Sequence, residues 1–248
     1  MSAMPSDSPN PEAAAAQFRT TSWTRIVQAS AGGTDARLAL GELCQAYWYP
    51  LYAFVRRRGS SSQDAEDAVQ SFLAWLIESD LFLRADPQRG RFRSFLISAF
   101  QQFLNRQFQQ RTAAKRQPEK PLVSIDAAEG ARLYDQELAM KYTPERQFEY
   151  AWAMAVIDRT LHRLRTEHEA RGKVDLFDTL KGYLTGEEVP SGLDAARVLN
   201  RSEGAVRVAV HRLKQRFAEL IREEVSQTVE SEADVDAELQ YLLAAIKS

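Results

Sequence analysis

The chain of 248 residues holds one cysteine, Cys44, and three histidines. A single cysteine excludes an intrachain disulfide and points to a reducing compartment. Among the histidines, His162 and His168 stand six apart rather than the four that put two imidazoles on one helix face, so no metal site is expected there. Cys44 lies in an apolar helical context with no histidine near it. Gly32-Gly33 lacks both a preceding strand and the remainder of a phosphate-binding fingerprint. Nothing in the chain points to a catalytic residue, a bound metal or a cofactor, so an enzyme is not expected. No apolar run approaches the roughly 20 residues that span a bilayer, and the opening MSAMPSDSPNPEAAAAQ has no basic stretch followed by an apolar core. The expectation is a cytoplasmic protein with no membrane partner. Alternating strand patterns and internal repeats are absent too.

What is present is a hydrophobic share of 44%, enough to bury sizeable cores, in long stretches with helical spacing. The formal net charge of −2 conceals a block pattern. Arg84, Arg89, Arg91, Arg93, Arg106, Arg111, Lys115 and Arg116 meet only Asp86, whereas Glu223, Glu224, Glu230, Glu232, Asp234, Asp236 and Glu238 crowd the tail. Binding follows local potential rather than the sum. Pro5, Pro9 and Pro11 mark a disordered leader (1–17), and Pro118 and Pro121 open a linker (117–145). The predicted fold class is all-α: a helical domain over 18–116, a second over 146–226, a flexible linker between them and an acidic helix over 227–248.

The most informative stretch is SGLDAARVLNRSEGAVRVAVHRLKQRFAELIREE, Ser191 to Glu224. It predicts two amphipathic helices joined by a tight turn. Leu193, Ala196 and Leu199 share one face of the first; Val206, Val210, Leu213, Phe217 and Leu220 form the buried stripe of the second. Asn200 and Arg201 fill the turn. Ser202 is placed to cap the second helix, although Ala205 stands where a full capping box needs Glu or Gln. A helix-turn-helix sets the first turns of its second helix into the major groove, where Arg207, then His211 and Lys214, meet base edges or phosphates. Arg212 and Arg216 widen the basic surface. The plainer alternative is a helical hairpin with solvated charges.

A second stretch, SSSQDAEDAVQSFLAWLIE from Ser60 to Glu78, predicts a helix capped by Ser62. Ala65, Val69, Phe72 and Leu76 turn inward. Asp64, Asp67 and Ser71 project together, with Glu66 and Gln70 alongside. By itself such a strip is a solvated face, since one helix lacks the converging partners of a metal or acid–base site.

The order of these segments resembles the extracytoplasmic-function group of bacterial sigma factors, the promoter-recognition subunits of RNA polymerase. WYPLYAFVRRRG (48–59), DAEDAVQSFLAWL (64–76) and GRFRSFLISAFQQFLNRQF (90–108) look like successive blocks of the family's region 2, and SEGAVRVAVHRLKQRF (202–217) like its region 4. LCQAYWYP, DLFDTL and the VDAEL tail are similar to larger sigma-like members from bacteria rich in Ser/Thr kinases.

The resemblance implies core RNA polymerase and promoter DNA as partners. Asp64, Glu66, Asp67 and Gln70 become contacts to the polymerase clamp on its β′ subunit, and the β flap is the expected neighbour of region 4. The loop Leu81 to Phe92 matches the place where the family captures a flipped base of the −10 element, with Arg89, Arg91, Phe92 and Arg93 as candidates and Gln102 and Arg106 behind them. Contacts to the −35 element fall on Ser202, Glu203, Arg207, His211, Arg212 and Lys214. An anti-sigma factor or a Ser/Thr kinase is a further partner the resemblance allows; phosphate on Ser60 to Ser62 would act at a helix N-terminus, against the ordinary reading of a capping serine run. Departures exist: Phe95 stands where tryptophan is frequent, Gln102 near a usual asparagine, and Arg207-Val208-Ala209 replaces a common Lys-Ser-Arg. The tail, with Val235, Leu239, Leu242 and Leu243 at helical spacing, is expected either to dock on the second domain and shield its basic face or simply to finish a core. Two functional alternatives stay open: a plain helix-turn-helix regulator, and a sigma-like protein that binds polymerase without opening promoters.

Overall fold

The structure, a computed structural model, describes residues 34–79, 81, 91–113, 142–187, 189–229 and 232–247. Outside them lie the leader, Gly32-Gly33, most of the expected linker, the loop over 82–90 with Arg84, Asp86 and Arg89, and Lys115, Arg116 and Glu230. The side chains of Leu38, Leu43, Arg111 and Glu232 are likewise outside the description. Every regular element among the described residues is helical. No helix among them is long and apolar enough to cross a membrane.

Helix α1 (Thr34–Arg57) continues unbroken through Pro50, although an interior proline removes one backbone bond. Around it Tyr47, Trp48, Leu51, Tyr52, Phe54 and Val55 are buried, so packing on both sides of the proline holds the axis. Gly59, at φ 92°, turns the chain out of α1, a left-handed conformation that costs glycine nothing. Helix α2 (Ser62–Glu78) starts at Ser61, whose hydroxyl accepts the Asp64 N–H at 3.1 Å. The cap is therefore Ser61, one residue before the expected Ser62. Ala65, Val69, Phe72, Leu73 and Leu76 face inward. Helix α3 (Phe92–Ala113) contributes Phe92, Leu96, Ala99 and Phe100, and the Phe72 ring lies 4.7 Å from that of Phe100.

Helix α4 (Pro144–Ala170) has 27 residues, about 40 Å of rod. Thr143 caps it and Pro144 takes the first position, where a missing N–H costs nothing. Its first half buries Phe148, Ala151, Trp152, Ala153 and Val156 in the core it shares with α1, α2 and α3; its second half buries Leu164 in a separate cluster. That second cluster gathers α5 (Val174–Leu180), α6 (Gly182–Thr185), α7 (Gly192–Val198) and α8 (Glu203–Ser226). The two cores thus meet inside one helix, between Val156 and Leu161.

Helix α9 (Glu232–Lys247) buries Val235, Leu242 and Ala245 in the first cluster, beside Val225 and Val229 at the end of α8. Arg146 of α4 donates to the C-terminal carbonyls of α9, Ala244 at 3.2 Å and Ala245 at 2.8 Å, the usual way a cation satisfies orphan groups at a helix end. The tail finishes the first core; it does not dock across the start of α8. Cys44 is partly buried against the same core, and burial pushes its thiol up to about 11, which keeps it protonated at neutral pH.

Candidate nucleic-acid and partner interfaces

The hairpin of α7 and α8 is built by local bonds. Ser191 caps α7, accepting the Asp194 N–H at 3.1 Å. At its other end the Arg201 N–H reaches the Ala196 carbonyl at 2.9 Å and the Asn200 N–H reaches that of Arg197 at 3.2 Å. This paired closure needs a left-handed residue between them. Asn200, at φ 49°, supplies it, and asparagine tolerates that region better than most side chains. Ser202 then caps α8 by accepting the Ala205 N–H at 3.3 Å. Val206, Leu213 and Leu220 are buried against Ala195, Ala196, Leu164, Phe177 and Leu180, with Val210, Phe217 and Leu199 partly covered. Leu193 departs from expectation: it is 57% exposed, because so short a helix seats its two adjacent alanines on the core and turns Leu193 outward.

The outer face of α8 carries Glu203, Gly204, Arg207, Val208, His211, Arg212 and Lys214, all exposed. Among the described residues, Arg201, Arg207, Arg212 and Lys214 have no carboxylate within ion-pair distance. Arg216 differs. Its guanidinium grips Glu167 of α4 with two bonds, 2.7 and 3.0 Å, and also meets Glu219 at 2.9 Å. These bonds hold its pKa far above the ordinary value and pull that of Glu167 down. Arg216 therefore ties α8 to the second core rather than widening the basic surface, and the open cations end at Lys214. Arg159 and Arg163 fix the far end of α8 in the same way, through Glu224 and Glu223.

On α2, Asp64, Asp67 and Ser71 are exposed, and Glu66 and Gln70 half-buried. Asp64 accepts the Ser61 hydroxyl at 2.7 Å and Glu66 that of Ser62 at 3.0 Å. Ser62 in turn lies 2.9 Å from the Tyr52 hydroxyl, which accepts a bond from Arg56 at 2.7 Å. Serine hydroxyls orient the strip, but among the described residues Asp64, Glu66 and Asp67 have no cation within ion-pair distance.

The third group is divided. Gln102 and Arg106 are exposed on α3, and Arg89 lies outside the described residues. Phe92 and Arg93 correct the expectation that they face DNA: they are 1% and 4% exposed. The Phe92 ring meets Tyr47 edge-on at 5.2 Å. Arg93 lies over the rings of Tyr241 and Trp152, at 3.7 and 4.9 Å, and donates to Glu238 at 2.8 Å. Arg91, one third exposed, places its Nε 2.8 Å from the other oxygen of Glu238. Burial raises the Glu238 carboxyl pKa and lowers that of Arg93. The Tyr241 hydroxyl, hydrogen bonded to Glu149, is pushed up to about 12, chiefly by burial. In the sequence Glu238 stands among the carboxylates of the acidic tail, which hides its role as the partner of Arg93. Its register shows otherwise: it lies three residues after Val235 and four before Leu242, on the apolar stripe of α9.

Three histidine, cysteine or carboxylate side chains placed to hold a metal are not found together among the described residues. Comparison with protein-family models, with curated proteins and with solved structures finds nothing that this chain matches.

Proposed function

We propose that this chain is a promoter-recognition subunit of bacterial RNA polymerase, of the extracytoplasmic-function type. In this reading a helical first domain holds core polymerase through Asp64, Glu66, Asp67 and Gln70. A helix-turn-helix second domain reads the −35 duplex with Glu203, Arg207, His211, Arg212 and Lys214 behind the Ser202 cap. The observation that carries it is the contrast in ion pairing. Arginines and carboxylates elsewhere are extensively tied to one another, whereas among the described residues the exposed carboxylates of α2 and the cations at the start of α8, which share their face with the single carboxylate Glu203, have no opposite charge within ion-pair distance. Exposed charges of this kind steer association and fix register. Among the described residues, Gln102 and Arg106 on α3 are the exposed candidates for the −10 element.

One observation favours the second reading, a sigma-like protein that binds polymerase without opening promoters. Phe92 and Arg93, to which the resemblance assigns capture of an unstacked base, are packed inside. Reconstituted transcription separates the two. Purified core polymerase with this protein is expected to yield promoter-specific transcripts and permanganate-reactive thymines near the start site. Stable polymerase and duplex binding without reactive thymines selects the second reading, and loss of both binding activities removes each.

A further inference from the structure

The outermost line of α8 in its first two turns has almost no polar reach. Val206, Leu213 and Leu220 fix the inward direction, and the opposite direction passes through Gly204 and Val208, one turn apart. Val208 is 51% exposed. A side chain added at Gly204 would meet nothing within 4 Å, so the fold does not require glycine there. Exposed Arg207, His211 and Arg212 flank the pair, and Arg201 and Lys214 extend the basic rim. A helix in this setting presents cations to either side and two methyl groups at its crest. Phosphate contacts position a protein on duplex DNA without specifying sequence; specification falls to whatever meets the base edges. In the major groove the one apolar feature of those edges is the C5-methyl group of thymine.

We propose that Val208 reads a thymine C5-methyl group in the major groove, with Gly204 leaving the space that lets the helix backbone approach the adjacent base pair. This rests on the placement of α8 in the groove proposed above, and it specifies what that helix recognises. The preferred duplex carries thymine at the position facing Val208, and Arg207 and Arg212 hold the backbone on each side. Because the methyl group is the feature read, 5-methylcytosine at that position restores part of the contact that cytosine lacks.

The test uses the full-length protein, alone and with core polymerase, to select from a random duplex pool at fixed salt. The enriched duplex is then resynthesised with deoxyuridine replacing each thymine in turn. Deoxyuridine at one position is expected to weaken wild-type binding about fourfold, the worth of one buried methyl-sized group. Val208→Ser should weaken binding to the thymine duplex by a similar factor and make it indifferent to deoxyuridine there, a coupling that a purely structural role would not produce. Val208 is a surface residue, so circular dichroism should show an unchanged fold. A selected, sequence-specific duplex that tolerates deoxyuridine everywhere, or a Val208→Ser variant that still senses it, overturns the methyl reading and leaves groove binding standing. Failure to enrich any sequence in either arm overturns both.

Discussion

Arg93 and Arg207 lie in the first two turns of amphipathic helices that begin in basic stretches, and in sequence they look alike. Their surroundings are opposite. Arg93 is sealed under α9, bonded to Glu238 and stacked on Tyr241, whereas Arg207 projects into solvent with no carboxylate within ion-pair distance among the described residues, Glu203 one turn before it included. The difference teaches that local charge does not decide whether an arginine builds the fold or meets a partner; a carboxylate supplied from 145 residues away does. Where the chain supplies one, the arginine becomes architecture. Where it supplies none, the charge remains available.

The largest expected effect comes from breaking the paired member. Glu238→Ala leaves the Arg93 guanidinium buried without its counter-ion, and loss of one partner of a buried pair costs about 3–5 kcal/mol. Denaturant unfolding should show that loss. Arg207→Ala should change the unfolding free energy by no more than about 0.5 kcal/mol, as expected of a surface change. Replacing both sides of the pair, Glu238→Leu with Arg93→Met, should recover much of the loss, because a buried ion pair is often matched by well-packed apolar residues. Equal effects of Glu238→Ala and Arg207→Ala would erase the contrast.

Helix caps sharpen it at intermediate size. Ser202→Ala and Ser61→Ala should each cost about 1 kcal/mol by thermal unfolding, since each removes a bond to an orphan backbone N–H. Ser62→Ala should act differently: it breaks the link from Tyr52 to Glu66 rather than a cap. A loss of helix α2 stability confined to Ser62→Ala would reverse the cap assignment.

The smallest stabilising tie considered is that of Arg216, an α8 arginine held to the second half of α4. Glu167 has a depressed pKa through its Arg216 bonds, so its contribution is complete above the ordinary carboxyl value of 4.5 and is lost as pH falls through the depressed value. Both groups are partly solvated, which limits the contribution to about 1 kcal/mol. The melting-temperature gap between wild type and Glu167→Gln should therefore be present at neutral pH and close in acid. A gap that widens in acid would contradict the sign.

Much of the architecture was legible because it is periodic. The inward faces of α2 and α8 and the cap at Ser202 follow from helical spacing and a serine before an apolar run. The short helix α7 was less legible: seven residues give too little period to choose between Leu193 and the adjacent alanines. Ser61 and Ser62 could not be separated, because three consecutive serines each fit a cap. The fate of Arg93 depends on α9, that of Phe92 on Tyr47 of α1 and that of Arg216 on Glu167 49 residues earlier, so no local pattern contains any of them. The carboxylate on the apolar stripe of α9 was the one available sign. The acidic strip on α2 and the cations at the start of α8 were both visible in the sequence as surfaces.

Two paired variants measured against two ligands test the division between these surfaces most directly. Asp64→Arg with Asp67→Arg, and separately Arg207→Ala with Arg212→Ala, are assayed for affinity to core polymerase and to the selected duplex. The first pair should lose polymerase and keep the duplex, and the second should keep polymerase and lose the duplex together with about two phosphates' worth of its salt dependence. If either pair leaves both affinities unchanged, or removes both from a folded protein, the separation of acidic and basic roles is wrong.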